Sequence, residues 1–189
     1  MLFRNIIATV LISALTVYSA FSAEGLQTGN RDSVKTDLEV SHYIEISIRS
    51  NLLTLFEKKG AADPVPVAKY PVGTAVTGLK TYPIGAGRVT AIQFHPWWYP
   101  TPYSRQVFRG RGIELPRAVA PGDPLNYMGP FKISLSHRTW KGAIYRIHGN
   151  NNPKRVGRRV TGGCFVMDNT DGLALARRIR VGTEVNIVP

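Results

Sequence analysis

Tyr43-Ile44-Glu45-Ile46-Ser47-Ile48-Arg49 alternates apolar and polar side chains without a break. Successive side chains of an extended chain point to opposite faces, so Ile44, Ile46 and Ile48 share one face of a half-buried strand. After a turn, Asn51-Leu52-Leu53-Thr54-Leu55-Phe56-Glu57 reads as a second strand, ended by Lys58-Lys59-Gly60. Residues 65–72 form a third candidate, with Pro64 and Pro66 marking an edge or an irregular start. Further β runs lie at Arg88 to Phe94, Phe131 to Leu135, Gly142 to Ile147 and Glu184 to Val188. A single helix is expected between Asn169 and Ile179. Asn169 or Thr170 can cap it, Asp171 sits in its first turn, and Arg177, Arg178 and Arg180 crowd its far end. Leu173, Ala176 and Ile179 are spaced to face a core. The pattern is a mainly-β domain with one late helix.

Residues 96–130 break this rhythm. They hold Pro96, Pro100, Pro102, Pro116, Pro121, Pro124 and Pro130, together with Trp97, Trp98, Tyr99 and Tyr103. Proline removes ladder donors, so a long ordered loop or lid packed by its aromatics is expected. Its aromatics either tether a surface connection or grip substrate, and sequence leaves both readings open.

Toward the N-terminus, Met1-Leu2-Phe3-Arg4 precedes an apolar run from Ile6 to about Val17, then small residues at Ser19, Ala20, Ser22 and Ala23. This is the layout of a secretory signal peptide over 1–22, with Ala20-Phe21-Ser22 as the cleavage signal and Ala23 the neighbouring alternative. The run is shorter than the ~18 apolar residues a spanning helix needs, so no stable membrane anchor is expected after cleavage. Residues 23–41 are polar and read as a flexible spacer, leaving 42–189 as the folded domain. The formal net charge is +12, from 24 Lys+Arg against 12 Asp+Glu, which draws polyanions; export demotes nucleic acid among them. A single cysteine excludes a disulfide framework and any zinc site built on several thiolates. Neither a metal nor a cofactor is called for.

That cysteine sits in Thr161-Gly162-Gly163-Cys164, sixteen residues after His148-Gly149 at a strand end. A thiol nucleophile needs a base to take its proton, and His148 is the best available. It also needs backbone amides aimed at the oxyanion, which consecutive glycines can present. For a lone Cys and His, burial as a small hydrophobe and a satisfied strand-end histidine would be the commoner outcome.

Further residues tip the balance. Ile147-His148-Gly149-Asn150, Val156-Gly157, Thr161-Gly162-Gly163-Cys164-Phe165, Met167 and Asn169 resemble the signature of the L,D-transpeptidase (YkuD-type) catalytic domain, as does Val181-Gly182-Thr183-Glu184-Val185. Trp97-Trp98-Tyr99-Pro100 and Pro121-Gly122-Asp123-Pro124-Leu125 with Gly129 are similar to that family's lid segment and its exit. The resemblance implies a β-sandwich or barrel in an exported enzyme of the periplasm or cell wall that acts on peptidoglycan stem peptides. Cys164 would attack the carbonyl of the L-centre residue of a stem tetrapeptide and expel terminal D-alanine, with His148 as base and then acid. The Gly149 backbone carbonyl would orient the imidazole, and the amides of Gly162, Gly163 and Cys164 would form the oxyanion hole. Trp97, Trp98, Tyr99, Asn150, Arg158, Arg159 and Thr161 would contact substrate. A second stem peptide or an envelope protein would accept the acyl group; water would make the enzyme an L,D-carboxypeptidase. Many members carry a histidine where this chain has Gly162 and an arginine where it has Val166, which admits an inactive, wall-binding relative. Arg146, Arg155, Arg158 and Arg159 are the cations that could replace the missing arginine.

Overall fold

A computed structural model of the chain describes residues 40–78, 82–139 and 142–189. The expected signal peptide, and the spacer as far as residue 39, lie outside the described residues. The opening alternation forms β1 (Val40–Ser47), which starts within the last residues assigned to the spacer. It pairs antiparallel with β2 (Leu52–Lys59), and Ile44 and Ile46 lie opposite Leu55 and Leu53. All four are fully buried, so the apolar face predicted by the period-2 pattern is the core face. β3 (Val65–Pro71) pairs with β2 and forms one edge of the sheet, the position in which prolines such as Pro66 and Pro71 are tolerated.

The other edge of β1 takes β10 (Glu184–Val188) in parallel. Beyond it come β5 (Gly85–Phe94), β6 (Phe131–Arg138) and β7 (Ile144–His148), each antiparallel to its neighbour. β9 (Phe165–Val166) closes the far edge, parallel to β7. The order of this eight-stranded sheet is β3-β2-β1-β10-β5-β6-β7-β9. β5 spends residues 85–88 on β10 and residues 89–94 on β6, with a register shift between Val89 and Ala91. That offset curls the sheet, and one apolar cluster runs from Ile44 and Leu55 through Ile133 and Ile147 to Phe165 and Leu175. A short parallel pair, β4 (Thr74–Ala75) with β8 (Arg159–Thr161), flanks β9.

The late helix is α2 (Asn169–Arg178). Its cap is Asp168, one residue before the two candidates, and the carboxylate accepts from the amides of Thr170 (2.8 Å) and Asp171 (3.2 Å). Leu175 and Ala176 are buried with Ile179, while Leu173 is only half-buried. Close approach explains the rotated face. Gly172 lies against the ring of fully buried Phe131, where any Cβ would overlap the ring.

The proline-rich segment differs from expectation in containing a second helix, α1 (Pro102–Arg109). Thr101 caps it by accepting from the Ser104 amide, and Pro102 occupies a first-turn position where no amide hydrogen is needed. The segment has its own small core of Trp98, Phe108, Leu115 and Val119. The Arg105 guanidinium ties its loop by donating to the carbonyls of Leu115, Pro116 and Arg117. Its neck is drawn together where the His95 amide donates to Pro130 O (2.8 Å).

Gly172→Ala sets helix propensity against overpacking. Alanine in a helix gains about 1 kcal/mol over glycine, but forcing a methyl into a filled core costs about 1–3 kcal/mol. Because Phe131 has no free space to yield, thermal melting should show a lowered Tm; an unchanged or raised Tm would mean that α2 can slide off the ring.

Candidate functional site

Two parallel residue pairs build the site. Ile147 lies beside Phe165 and His148 beside Val166, and continuing the register upstream sets Arg146 beside Cys164. Ile147 and Phe165 point into the core, so Arg146, His148 and Cys164 belong to the other face. The strand fragment is held on both sides. Met167 N donates to His148 O (2.9 Å), while Gly73 and Val166 exchange both backbone bonds, at 2.7 and 2.9 Å.

His148 is buried, and its Nδ1 lies 2.7 Å from Gly149 O. A carbonyl can only accept, so in the neutral ring Nδ1 carries the proton and Nε2 the lone pair. The Gly149 turn is itself fixed by two asparagines. Asn150 N donates to Asn169 Oδ1 (2.8 Å), Asn169 Nδ2 donates to Asn150 O (3.0 Å), and Asn150 Nδ2 donates to Met167 O (2.6 Å). Burial depresses the His148 pKa to about 4; the carbonyls of Gly149 and Tyr127 raise it, and the charges of Arg155 and Arg146 add to the depression.

Cys164 is half-buried at the entrance to β9. Burial pushes its thiol pKa up, opposed by the Arg146 charge, by hydrogen bonding from Arg146 and by the Arg155 charge. Both shifts favour neutral groups, so at neutral pH the pair rests as thiol and imidazole, not as thiolate and imidazolium. Arg146 was readable in outline: two residues before His148 on a strand means the same face. Of the four candidate cations, the structure brings Arg146 and Arg155 to the thiol. Arg159 is engaged elsewhere, its Nε donating to Ala75 O (3.0 Å) and its guanidinium lying over Tyr82, and Arg158 is exposed.

The glycine turn divides into unlike halves. Gly163 has φ +137°, and a Cβ there would fall 2.6 Å from Tyr145 Cε1. Its amide donates to Thr161 Oγ1 (3.1 Å), and that hydroxyl donates to Cys164 O (2.7 Å). The Gly163 amide is therefore occupied, which corrects its assignment as an oxyanion donor. Gly162 is exposed, and a Cβ there would meet nothing within 4 Å.

Three expected substrate contacts prove to be internal. Trp98 is 5% exposed and stacks on Tyr127 at 5.2 Å between ring centroids, so its side chain organises the lid. Asn150 and Thr161 are buried and spend their polar atoms on the backbone around the site, as above. Trp97 and Tyr99, on the other face of the same short bridge to Val119, are 52% and 67% exposed. Tyr127 was not foreseen, because nothing in its local sequence marks it. It joins lid to site by stacking on Trp98 and by carrying the Arg155 guanidinium over its ring at 5.0 Å. Among the described residues no cluster of three or more His, Cys, Asp or Glu could hold a metal ion, and no helix is long and apolar enough to cross a membrane.

Residues 41–187 match the family model for the YkuD, L,D-transpeptidase catalytic domain. ErfK/SrfK of Escherichia coli K12, named a probable L,D-transpeptidase, is 35% identical over 126 residues, covering 67% of this chain and 38% of that protein. YcfS of the same strain, likewise named a probable L,D-transpeptidase, is 35% identical over 123 residues, covering 65% and 37%. The chain thus spans somewhat over a third of the length of these relatives. Among solved structures, L,D-transpeptidase 3 of Mycobacterium tuberculosis with a faropenem-derived adduct superposes with TM-score 0.51 at 13% identity, covering 79% of this chain and 61% of that one. Pgp2 of Campylobacter jejuni, described as a helical cell shape determining protein, gives 0.51 at 15% identity, covering 79% and 48%. The structural likenesses support the curled β architecture, and the family match over residues 41–187 shows that the chain belongs to the L,D-transpeptidase catalytic-domain family.

Proposed function

We propose that the protein is an exported cysteine acyltransferase of the cell wall that takes peptidoglycan stem peptides as acyl donors. The observation that carries this reading is the β7–β9 register, which sets the only thiol of the chain on the same face as a histidine already committed to the Nδ1–H tautomer. Cys164 Sγ attacks the carbonyl carbon of the L-centre residue as its proton passes to His148 Nε2. The tetrahedral oxyanion collects hydrogen bonds from the Gly162 and Cys164 amides. Collapse breaks the C–N bond, and His148 returns the proton to the departing D-alanine amine, leaving a thioester. An amine from a second stem peptide or an envelope protein then takes the acyl group; water in its place would give carboxypeptidase action. Residues 1–22 serve as signal peptide and the residues from 23 to the start of β1 as spacer in this reading, and Trp97 and Tyr99 offer exposed aromatic faces to the substrate.

Because the thiol and imidazole rest neutral, proton transfer accompanies attack and does not precede it. Alkylation of Cys164 by iodoacetamide should therefore climb steadily toward alkaline pH. A plateau reached near neutrality would instead reveal a preformed thiolate–imidazolium pair.

Relatives supply the probe: one solved neighbour is a complex with imipenem and another carries a faropenem-derived adduct. Incubation with a carbapenem should add one acyl group at Cys164 by mass spectrometry, and tetrapeptide-bearing disaccharides should yield dimers or tripeptides. Cys164→Ala should abolish both, and His148→Ala should slow acylation by about 10²–10⁴-fold. Folded protein that forms neither adduct nor product would instead be a wall-binding relative without activity.

The two glycines should separate cleanly. Gly163→Ala places a methyl against Tyr145 in a backbone conformation alanine avoids, so both stability and acylation rate should fall. Gly162→Ala, with open space around it, should retain the melting temperature; equal damage from both variants would contradict the division of roles.

Stability should also follow pH in a defined way. A histidine at about 4 when folded and 6.5 when unfolded binds more protons in the unfolded chain across that window. Stability is then full above about pH 6.5 and lost as pH falls toward 4, by roughly 3 kcal/mol. The raised thiol adds a loss above the unfolded value near 9. Urea unfolding of wild type and His148→Gln across pH 4–7 should show the acid slope diminished in the variant.

A further inference from the structure

The face that carries Cys164 is cationic, and among the described residues its cations have no ion-pair partner. Lys132 is paired with His148 across β6 and β7, Arg146 lies beside the thiol, and Arg155 reaches in from the 3-10 turn Pro153–Arg155. The described ion pairs all involve Glu57 or Glu114, so none of these three cations is matched by a carboxylate. Arg146 satisfies part of its guanidinium by donating to Ile144 O (2.9 Å). Arg155 is different. Its Nη1 is buried and has no hydrogen-bond partner, while its Cζ is held 5.0 Å above the Tyr127 ring.

A buried guanidinium nitrogen without an acceptor is costly, and a planar, stacked guanidinium is preorganised for a carboxylate. The backbone holds it in place as well. The turn is capped by Asn152, whose Oδ1 accepts from Lys154 N (3.1 Å), and Arg155 N donates to Asn152 O (3.2 Å). The Arg155 carbonyl packs on Gly73, the residue that bridges to Val166 beside His148. Val166 is fully buried under that bridge, so a cation at the site comes from the turn and not from β9. The same charge acts on both His148 and Cys164, which sets it within electrostatic range of the reacting atoms.

We propose that Arg155 is the specificity-determining residue of this site, its guanidinium binding the C-terminal carboxylate of the acyl-donor peptide. This rests on the acyl-transfer reading above. The residue that leaves in that reaction ends in a carboxylate a few bonds beyond the scissile amide. The site offers it a cation that no described carboxylate pairs with.

The test compares two donor tetrapeptides that differ only at the C-terminus, free acid and primary amide, on wild type, Arg155→Met and Arg155→Lys. Wild type should favour the acid by roughly 10–100-fold in kcat/KM, the worth of one charge-assisted hydrogen bond. In Arg155→Met the loss on the acid should exceed the loss on the amide by at least about tenfold, appearing mainly in KM; Arg155→Lys should recover part of the preference. Equal loss on both donors would make Arg155 a mere prop for Tyr127 and overturn the proposal. So would a wild type indifferent to acid and amide, a result that needs no variant to fold. Titration of Cys164→Ser with both peptides separates this proposal from the reaction itself. Acid-selective binding that vanishes on adding Arg155→Met, in a protein whose wild type never forms a thioester, would sustain the carboxylate site and sink the acyl transfer. Thioester formation with unchanged acid preference in Arg155→Met would do the reverse.

Discussion

The two-residue pairing of β9 with β7 is the constraint on which the site depends. A parallel ladder this short cannot hold itself, since only Ile147–Phe165 and His148–Val166 are in register. It persists because Phe165 is locked into the core, Met167 N is tied to His148 O, and Gly73 closes on Val166 from the far side. Slipping by one residue would turn Phe165 out and Cys164 inward, exchanging a filled core for a buried thiol. The hydrophobic core thereby sets the azimuth of the Cys164 thiol, and the proposed chemistry would inherit its alignment from packing.

Polar bonds then refine what packing has aligned. The Asn169 side chain accepts from Asn150 N and donates to Asn150 O, which ties the start of α2 to the turn after His148. Asp168 caps the helix from the adjacent position, which leaves Asn169 free for this bridging. On the opposite flank, Thr161 takes the Gly163 amide and gives its own proton to Cys164 O. The lid contributes through Tyr127, whose ring is stacked on Trp98 and lies under Arg155. Each of these contacts steadies the surroundings of His148 and Cys164.

What could be read from the sequence follows from the range of the signals. The strands at Tyr43, Leu52, Phe131 and Glu184 were legible because alternation and burial are local and agree. Helix α1 was missed although Thr101-Pro102 is a start signal, because seven prolines across 96–130 outweighed it. β4, β8 and β9 are two or three residues long and exist only through partners distant in sequence. The Cys–His–Gly constellation was visible as a motif, but the roles of its neighbours were not. Trp98 and Asn150 looked like substrate contacts because aromatic and amide groups near a thiol suit that role; only burial shows that their polar and apolar needs are met internally. Arg155 and Tyr127 lie 28 residues apart in sequence, and their meeting is a tertiary fact.

The cations have a consequence for how the site divides binding from chemistry. Arg155 lowers the proton affinity of His148 and of Cys164 alike. Moving a proton from the thiol to the imidazole creates one negative and one positive group, so its field helps the first and opposes the second. Opposite in sign, the two effects offset each other. A carboxylate arriving on Arg155 would remove both together and leave the transfer nearly unchanged in free energy. The cation can therefore hold a donor firmly without retuning the nucleophile. Arg146 does not share this neutrality: its hydrogen bonding goes to the sulfur, so it stabilises the thiolate more than it discourages the imidazolium. In the proposed reaction, selection of the donor and activation of the thiol would thus fall to different arginines.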